Sequence, residues 1–162
     1  MQITSEYVNS EIIDIYNRNV DMIYRLSFAY LKNSEGAEDC VQDVFVNLLK
    51  SKKVFENVEH EKAWIIVTTI NICKNKLKNF WNRRVIIGEF ERGIPFEIDD
   101  TLYTVMKLPT KYKEVVYLYY YEGYNSTQIS KILKKPESTI RNHLSEARKK
   151  LKKILGGDMN EK

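Results

Sequence analysis

The sequence is short of the residues from which metal centres, disulfide frameworks and phosphate-binding loops are built. Its 162 residues include two cysteines, two histidines and six glycines. Cys40 and Cys73 stand apart without CxxC spacing, so neither a structural zinc site nor a disulfide framework is expected. The glycines form no phosphate-cradling motif. These absences argue against an enzyme, and we expect no catalytic residue, metal or cofactor.

Long apolar runs are also missing. The longest hydrophobic run, Val115–Tyr121, is rich in tyrosine and far too short to span a membrane. Residues 1–9 show no basic stretch followed by an apolar one, so no secretory signal is predicted. The hydrophobic content of 43% is ordinary for a globular protein. We therefore expect a cytoplasmic protein without membrane insertion.

Positive charge is concentrated in two segments, although the whole chain carries only +4. Residues 62–84 hold six basic residues and no acid, and residues 131–153 hold nine basic residues and two acids. Together these segments carry +13, so the rest of the chain carries −9. A solvated helix face is the ordinary interpretation of a charge run, but such a face usually mixes both signs. Two basic helices in an otherwise acidic chain favour a polyanionic partner.

Apolar residues spaced three and four apart predict an all-α protein with two small helical domains. Between them, residues 85–100 include Gly88, Gly93 and Pro95 and hold five acids and one base, which is typical of a flexible acidic linker. We therefore expect one domain at 1–84, a linker at 85–100 and a second domain at 101–162. Helices are predicted at 10–31, 35–50, 59–81, 101–108, 110–122, 126–134 and 138–155, with a capping box from Asn125 to Gln128.

The last two predicted helices, joined by residues 134–137, form a candidate helix-turn-helix. The second of them has one apolar stripe, predicted to be buried, of Ile140, Leu144, Ala147, Leu151 and Ile154. Its opposite side presents Ser138, Arg141, Asn142, Ser145, Lys149 and Lys152. Polar residues at the start of such a helix can reach base edges, and lysines further along can meet phosphates. The alternative is a solvated amphipathic helix in a bundle.

The long helix predicted at 59–81 has a polar face without acids. Its apolar stripe consists of Ile66, Ile70, Cys73, Leu77 and Phe80. The opposite face carries Trp64, Thr68, Asn71, Asn75, Lys78 and Asn82. Amides read base edges, lysine meets phosphate and an indole ring stacks on an unpaired base, so this face is typical of nucleic-acid binding. Alternatively, Trp64 is partly buried under the first helix.

The second predicted helix is acidic on the side opposite its apolar residues. It is expected to bury Val41, Val44, Phe45, Leu48 and Leu49. The other side carries Asp39, Gln42, Asp43, Val46 and Lys50. An exposed valine beside two aspartates suits contact with a basic protein partner. A solvated face is the plain alternative, and acid–base or metal chemistry at the carboxylates lacks a converging histidine or third acid.

Taken in order, these segments resemble the extracytoplasmic-function group of the sigma-70 family of bacterial RNA polymerase sigma factors. Residues 37–45, AEDCVQDVF, are similar to the AEDxxQExF helix of region 2. Ala63, Trp64, Ile65, Ile70 and Asn71 are similar to its AWLxxIxxN segment. A resemblance to the opening of region 4 is found at Leu108, Pro109, Tyr112 and residues 115–124. A resemblance to the helix-turn-helix of region 4 is found at Ile129 and residues 136–140 and 147–151. The resemblance covers residues 10–155.

The resemblance implies a signal-responsive sigma factor that brings core RNA polymerase to promoters and helps to open the DNA. It also implies a bacterial cytoplasmic location and four partners: core polymerase, duplex −35 DNA, single-stranded −10 DNA and an anti-sigma protein. The implied polymerase contacts are Asp39, Gln42, Asp43 and Val46. The implied −10 contacts are Phe55, Asn57, Trp64, Asn71, Lys74, Asn75 and Lys78. The implied −35 contacts are Ser138, Thr139, Arg141, Asn142, Ser145, Arg148 and Lys149.

Some positions depart from the family pattern. The family often has aspartate where Asn75 stands and an acid where Gln128 stands, and the basic end of region 2 is reduced to Lys76, Lys78, Arg83 and Arg84. These differences bear on promoter preference rather than on the class of protein. The alternative function is a two-domain helix-turn-helix transcription regulator with a sensing N-terminal half, which would not need an acid-free asparagine, lysine and tryptophan face. A helical hydrolase or nuclease is a further alternative, but it would need clustered acids or histidines, which are missing from this sequence.

Overall fold

The computed structural model describes residues 5–82 and 100–159, with side chains described for residues 10–79 and 100–156. Those residues form two compact helical units, one on each side of the predicted linker, and contain no strand. The linker itself lies outside the described residues apart from Asp100, as do Arg83, Arg84 and the side chains of Phe80 and Asn82. No helix within the described ranges is long and apolar enough to cross a membrane.

The first unit is a bundle of three helices, α1 (Ser5–Leu31), α2 (Ser34–Ser51) and α3 (Val58–Asn82), each of which packs against the other two. The three helices predicted here are confirmed, with ends shifted by up to five residues. Leu49 is a correction, since its side chain is 53% exposed instead of buried. It lies one turn beyond Phe45, whose ring is covered by Tyr16 of α1 at a centroid distance of 4.9 Å. The largest fully buried side chains of this unit are Ile23, Leu26, Phe28, Leu31, Ile65 and Ile66.

Asparagine side chains start two helices of this unit. Asn33 Oδ1 accepts a hydrogen bond from the Gly36 amide at 2.6 Å, and Asn57 Oδ1 accepts one from the His60 amide at 2.8 Å. Each satisfies an amide that has no partner within its own helix. Lys52, at the end of α2, adopts a left-handed conformation with φ of 52°. Such a residue stops a helix, so α2 and α3 turn back on each other through a short connection.

An ion pair between the exposed Arg18 and the buried Glu61 holds the start of α3 against α1. The Glu61 carboxylate accepts hydrogen bonds from Arg18 Nε at 3.1 Å, Arg18 Nη2 at 2.8 Å and Asn19 Nδ2 at 2.8 Å. Glu61 and Asn19 are buried, and Asn19 Nδ2 also donates to the Ile15 carbonyl. This network fixes the end of α3 from which Trp64 projects one turn later.

The second unit contains α4 (Asp100–Met106), α5 (Thr110–Val116), a π-helical turn (Tyr117–Tyr121), α6 (Ser126–Leu133) and α7 (Glu137–Met159). The single helix predicted at 110–122 is therefore α5 followed by the π-helical turn. This turn is stabilised by stacking of Tyr117 on Tyr121 and by a 2.8 Å hydrogen bond from Tyr117 Oη to the Glu122 carboxylate. The predicted capping box at α6 is confirmed, with Asn125 and Gln128 bonding each other's backbone amides.

The apolar stripe of α7 is buried only over its first half. Ile140, Leu144 and Ala147 are buried under α5 and α6, and Leu151 is half-buried. Ile154 is a correction, because its side chain is 40% exposed. It borders an open groove of about 310 Å³ beside the α4–α5 connection at Leu108. The helices that cover the start of α7 do not extend over this end.

Candidate nucleic-acid and polymerase interfaces

The first candidate site is an open groove between α2 and α3, with a volume of about 460 Å³. From α3 it is lined by Trp64, Thr68, Asn71, Ile72 and Asn75. From the end of α2 it is lined by Asn47, Lys50 and Ser51. Three of the residues implied to contact −10 DNA, Trp64, Asn71 and Asn75, therefore share one concave surface.

An aromatic cluster forms one end of this groove. Trp64 is half-buried against the ring of Phe55, with centroids 5.7 Å apart, and Phe55 packs edge-on to His60 at 5.5 Å. Trp64 is therefore partly buried, but the ring against which it packs belongs to the α2–α3 loop and not to the first helix, as the alternative expected. Asn57, in the same loop, uses its Oδ1 to cap α3. Phe55 and Asn57 thus determine where Trp64 and the start of α3 lie.

Polar side chains continue from the groove along α3. Asn71, Lys74, Asn75 and Lys78 are all exposed. Residues 71, 75 and 78 are spaced four and three apart, so they lie on one face of the helix. An indole ring, two amides and lysine ammonium groups along one surface can stack a base, hydrogen-bond its edge and neutralise phosphates.

The second candidate site is the outer face of α2. Asp39, Gln42, Asp43 and Val46 are exposed as expected, and the Val46 side chain is 44% exposed. Asp43 is already paired, because its carboxylate forms a 3.0 Å ion pair with Lys76 of α3. Lys76 is therefore part of the contact between α2 and α3 rather than of the basic α3 surface. Asp39, Gln42 and Val46 supply the rest of the acidic and apolar face.

The third candidate site is the helix-turn-helix of α6 and α7. Lys134 ends α6 with φ of 56°, and Ser130 Oγ donates a 2.6 Å hydrogen bond to the Lys135 carbonyl. Lys135 Nζ also pairs at 3.2 Å with Glu114, a buried carboxylate of α5. These contacts anchor the turn to α5 and so determine the direction in which α7 leaves it.

The polar face of α7 lies at the surface. Ser138, Arg141, Asn142, Ser145, Arg148 and Lys149 are exposed, and Thr139 is half-buried. Arg141 pairs with Glu137 at 2.7 Å, and Lys149 with Glu146 at 3.4 Å, both within α7. Ion pairs this exposed contribute about 0–1 kcal/mol, so a phosphate or base can replace either carboxylate.

Arg148 is held more firmly than the other basic residues of this face. Its Nε donates a 2.8 Å hydrogen bond to Tyr120 Oη, and its guanidinium lies over the rings of Tyr119 and Tyr120, 5.4 and 5.8 Å from their centroids. The hydrogen bond to Tyr120 raises the pKa of Arg148. Arg148 therefore links α7 to the π-helical turn, and its charge stays at the edge of the α7 face.

Sequence reasoning missed the α2 wall of the groove. The helical pattern predicts no role for Asn47 and Ser51, and it predicts Lys50 only on the outer face of α2. Asn47, Lys50 and Ser51 recur at three- and four-residue spacing, which marks a shared helix face. That this face borders α3 depends on how the two helices pack.

Two family models match the chain. Sigma-70 region 2 matches residues 15–83, and the region 4 model of the same family matches residues 100–151. Each match lies within one of the two helical units of the structure. The first contains the groove and the acidic face of α2, and the second contains the helix-turn-helix.

Curated relatives and solved structures agree with these matches. The chain is 25% identical to the ECF RNA polymerase sigma factor SigW of Bacillus subtilis, over 90% of this chain and 88% of the relative. It is 28% identical to the RNA polymerase sigma factor SigV of the same organism, over 78% and 80%. The structure is similar to the sigma factor RpoE in its complex with the anti-sigma factor NepR from Bartonella quintana. Here the TM-score is 0.69 at 18% identity, covering 93% and 98% of the two chains.

The two helical units and the two family models define a sigma factor of RNA polymerase. The chain belongs to the sigma-70 family, and within it to the extracytoplasmic-function group. Sigma factors are initiation factors and not enzymes, since the polymerase carries the chemistry. The helix-turn-helix regulator with a sensing domain is not supported, because the N-terminal unit is a sigma region 2.

Proposed function

We propose that this sigma factor opens its promoters by capturing an unpaired −10 base in the groove between α2 and α3. The observation that carries this proposal is the composition of the groove, in which Trp64 stands beside the amides of Asn71, Asn75 and Asn47. Pulling a base from a duplex costs a few kcal/mol, and stacking on a ring returns about 1–3 kcal/mol. Amide hydrogen bonds to the base edge supply the remainder and the selectivity.

The same proposal assigns the outer face of α2 to core polymerase. Asp39, Gln42 and Val46 combine an acid, an amide and an exposed apolar group, which suits a partner surface that is basic at its edge and apolar at its centre. Asp43 belongs to the same face, because its carboxylate is half exposed and its ion pair with Lys76 leaves it open to a basic partner. Polymerase and DNA thus contact different faces of one three-helix bundle.

The second unit reads the −35 element as duplex. Arg141, Asn142 and Ser145 lie within the first three turns of α7, at the end nearest the helix-turn-helix turn. This is the part of a recognition helix that reaches base edges in the major groove. Lys149, further along, contacts phosphate. We further propose a cytoplasmic location and control by an anti-sigma protein, because two structural relatives, RpoE and CnrH, are described in complexes with NepR and with the cytosolic domain of CnrY.

The groove assignment is tested with the full chain bound to core polymerase. Fluorescence anisotropy compares the non-template strand of a −10 element with the same sequence as duplex. We expect Asn71→Ala to weaken single-strand binding roughly fivefold, the effect of about 1 kcal/mol for a lost hydrogen bond. Duplex binding and core binding are expected to be unchanged. Permanganate footprinting then follows opening, which Asn71→Ala is expected to slow.

The matched control is Asn17→Ala, which removes an exposed asparagine from α1, outside the groove. It is expected to behave as wild type in both assays. Equal affinity of the wild-type protein for single strand and duplex, together with normal promoter opening by Asn71→Ala, would show that the groove contacts only phosphates. In that case the proposed capture of a base would be wrong, and the family assignment would still hold.

A further inference from the structure

Two buried thiols meet where α2 packs on α3. Cys40 Sγ and Cys73 Sγ lie 3.6 Å apart, neither side chain reaches the surface, and the chain has no other cysteine. Because the two residues lack CxxC spacing, nothing in the sequence indicates this contact. They are 33 residues apart in sequence, and the packing of α2 on α3 brings them together.

The geometry is close to that required for a disulfide bond. The two thiols share a hydrogen bond, so each sulfur already points at the other. A disulfide has a sulfur–sulfur distance of about 2.05 Å, so the sulfurs need to approach by about 1.5 Å. Rotation of the two side chains and a small movement of the helices supply that distance.

The two thiols are not equivalent. The hydrogen bond shared with Cys73 lowers the pKa of Cys40 more than burial raises it, with smaller contributions from Ser27 and Lys76 in the lowering direction. The same hydrogen bond, together with burial, raises the pKa of Cys73 well above its ordinary value. Because the thiolate is the nucleophile, Cys40 is the thiol suited to attack an oxidant, and Cys73 is suited to the following step.

We propose that Cys40 and Cys73 form an oxidation site that hydrogen peroxide converts to an intramolecular disulfide. The Cys40 sulfur attacks one peroxide oxygen, the oxygen–oxygen bond breaks, and Cys40 becomes a sulfenic acid while one water leaves. The Cys73 sulfur then displaces the hydroxyl of the sulfenic acid as a second water. The two thiols lose two electrons in total, the peroxide gains them, and both thiol hydrogens end in water.

The disulfide would join the two helices that form the groove. Hydrogen peroxide is close to water in size, and Ile72, beside Cys73 on α3, lines the open groove, so a local opening of α2 from α3 admits it. The bond would close a loop of about 34 residues, which restricts the unfolded chain and stabilises the first unit. This inference stands independently of the proposed role of the groove.

The experiment treats the fully reduced full-length protein with hydrogen peroxide at neutral pH, then unfolds it and labels thiols with a maleimide. Labelling is expected to fall from two groups per chain to none. The intact mass is expected to fall by two hydrogens in a monomer, a result that distinguishes a disulfide from a bound metal or a higher oxide. Dithiothreitol is expected to restore both labels. Urea unfolding followed by tryptophan fluorescence is expected to shift to a higher midpoint after oxidation.

Cysteine variants test the order of the two steps. In Cys73→Ser the sulfenic acid on Cys40 has no resolving thiol, so dimedone is expected to label it; Cys40→Ser is expected to label at least tenfold more slowly. Circular dichroism checks that both variants fold, and the wild-type result stands without them. Two thiols still labelled after peroxide, a bond only between chains, or oxidation only in urea would each overturn the proposal. Equal dimedone labelling of the two variants would overturn the assignment of Cys40 as the attacking thiol.

Discussion

Removing Arg18 tests how the start of α3 is held in place, because this residue neutralises the buried Glu61 carboxylate. In Arg18→Ala, that carboxylate loses two of its three hydrogen bonds and keeps only the one from Asn19. The Glu61 side chain is 5% exposed, so water replaces the lost partner poorly. We expect Arg18→Ala to destabilise the first unit more than the isosteric change Glu61→Gln does.

The magnitudes follow from the unequal burial of the pair. Breaking a fully buried ion pair costs about 3–5 kcal/mol, but the Arg18 side chain is 43% exposed, which reduces the expected cost of Arg18→Ala to about 2–3 kcal/mol. Glu61→Gln leaves a neutral acceptor beside an arginine that water can hydrate, at a cost of about 1–2 kcal/mol. Replacing both residues with methionine removes the desolvation cost along with the pair but leaves the buried Asn19 amide with only its bond to the Ile15 carbonyl, so this variant should lie within about 2 kcal/mol of wild type.

Urea unfolding followed by tryptophan fluorescence measures these differences. Both tryptophans, Trp64 and Trp81, belong to the first unit, so the signal reports that unit alone. At about 1–3 kcal/mol per molar urea, Arg18→Ala should lower the midpoint by roughly 1–2 M. A larger loss of stability in Glu61→Gln than in Arg18→Ala, or a double methionine variant that is the least stable of the three, would contradict this prediction.

Three further predictions concern the other surfaces. Asp39→Arg should weaken core polymerase binding at least tenfold in a titration, whereas Asp21→Arg, at an exposed site on α1, should not; equal affinities would show that the α2 face is merely solvated. Arg141→Ala should reduce the binding free energy by roughly 1–3 kcal/mol at one −35 base. Lys149→Ala should instead weaken binding to all DNA sequences alike and lower the slope of log affinity against log salt concentration by about one. Identical, sequence-independent losses of affinity in the two variants would show that Arg141 contacts only phosphate. Burial and two nearby lysines lower the pKa of His143, so protonation opposes folding of the second unit, and its stability should fall as the pH drops below about 6.5; an NMR titration giving a folded-state pKa at or above 6.5 would contradict this.

The sequence by itself determined the helices, their approximate positions and the class of protein, because these depend on residues near one another in the chain. The capping box at Asn125 and Gln128 and the break at Asn33 involve neighbours three residues apart, so their chemistry can be read directly. The periodic stripes similarly predicted most of the buried positions. Where a stripe failed, at Leu49 and Ile154, the spacing was right, but no element in the described part of the chain covers the side chain.

Only the tertiary structure decided which distant residues meet. The pairs Cys40–Cys73, Asp43–Lys76 and Arg18–Glu61 join residues more than 30 positions apart. Helical spacing gives the face on which each residue lies, but it does not give the rotation and axial offset of one helix against another. The packing of side chains between α1, α2 and α3 sets both quantities, so it also determined that the end of α2 forms the second wall of the groove.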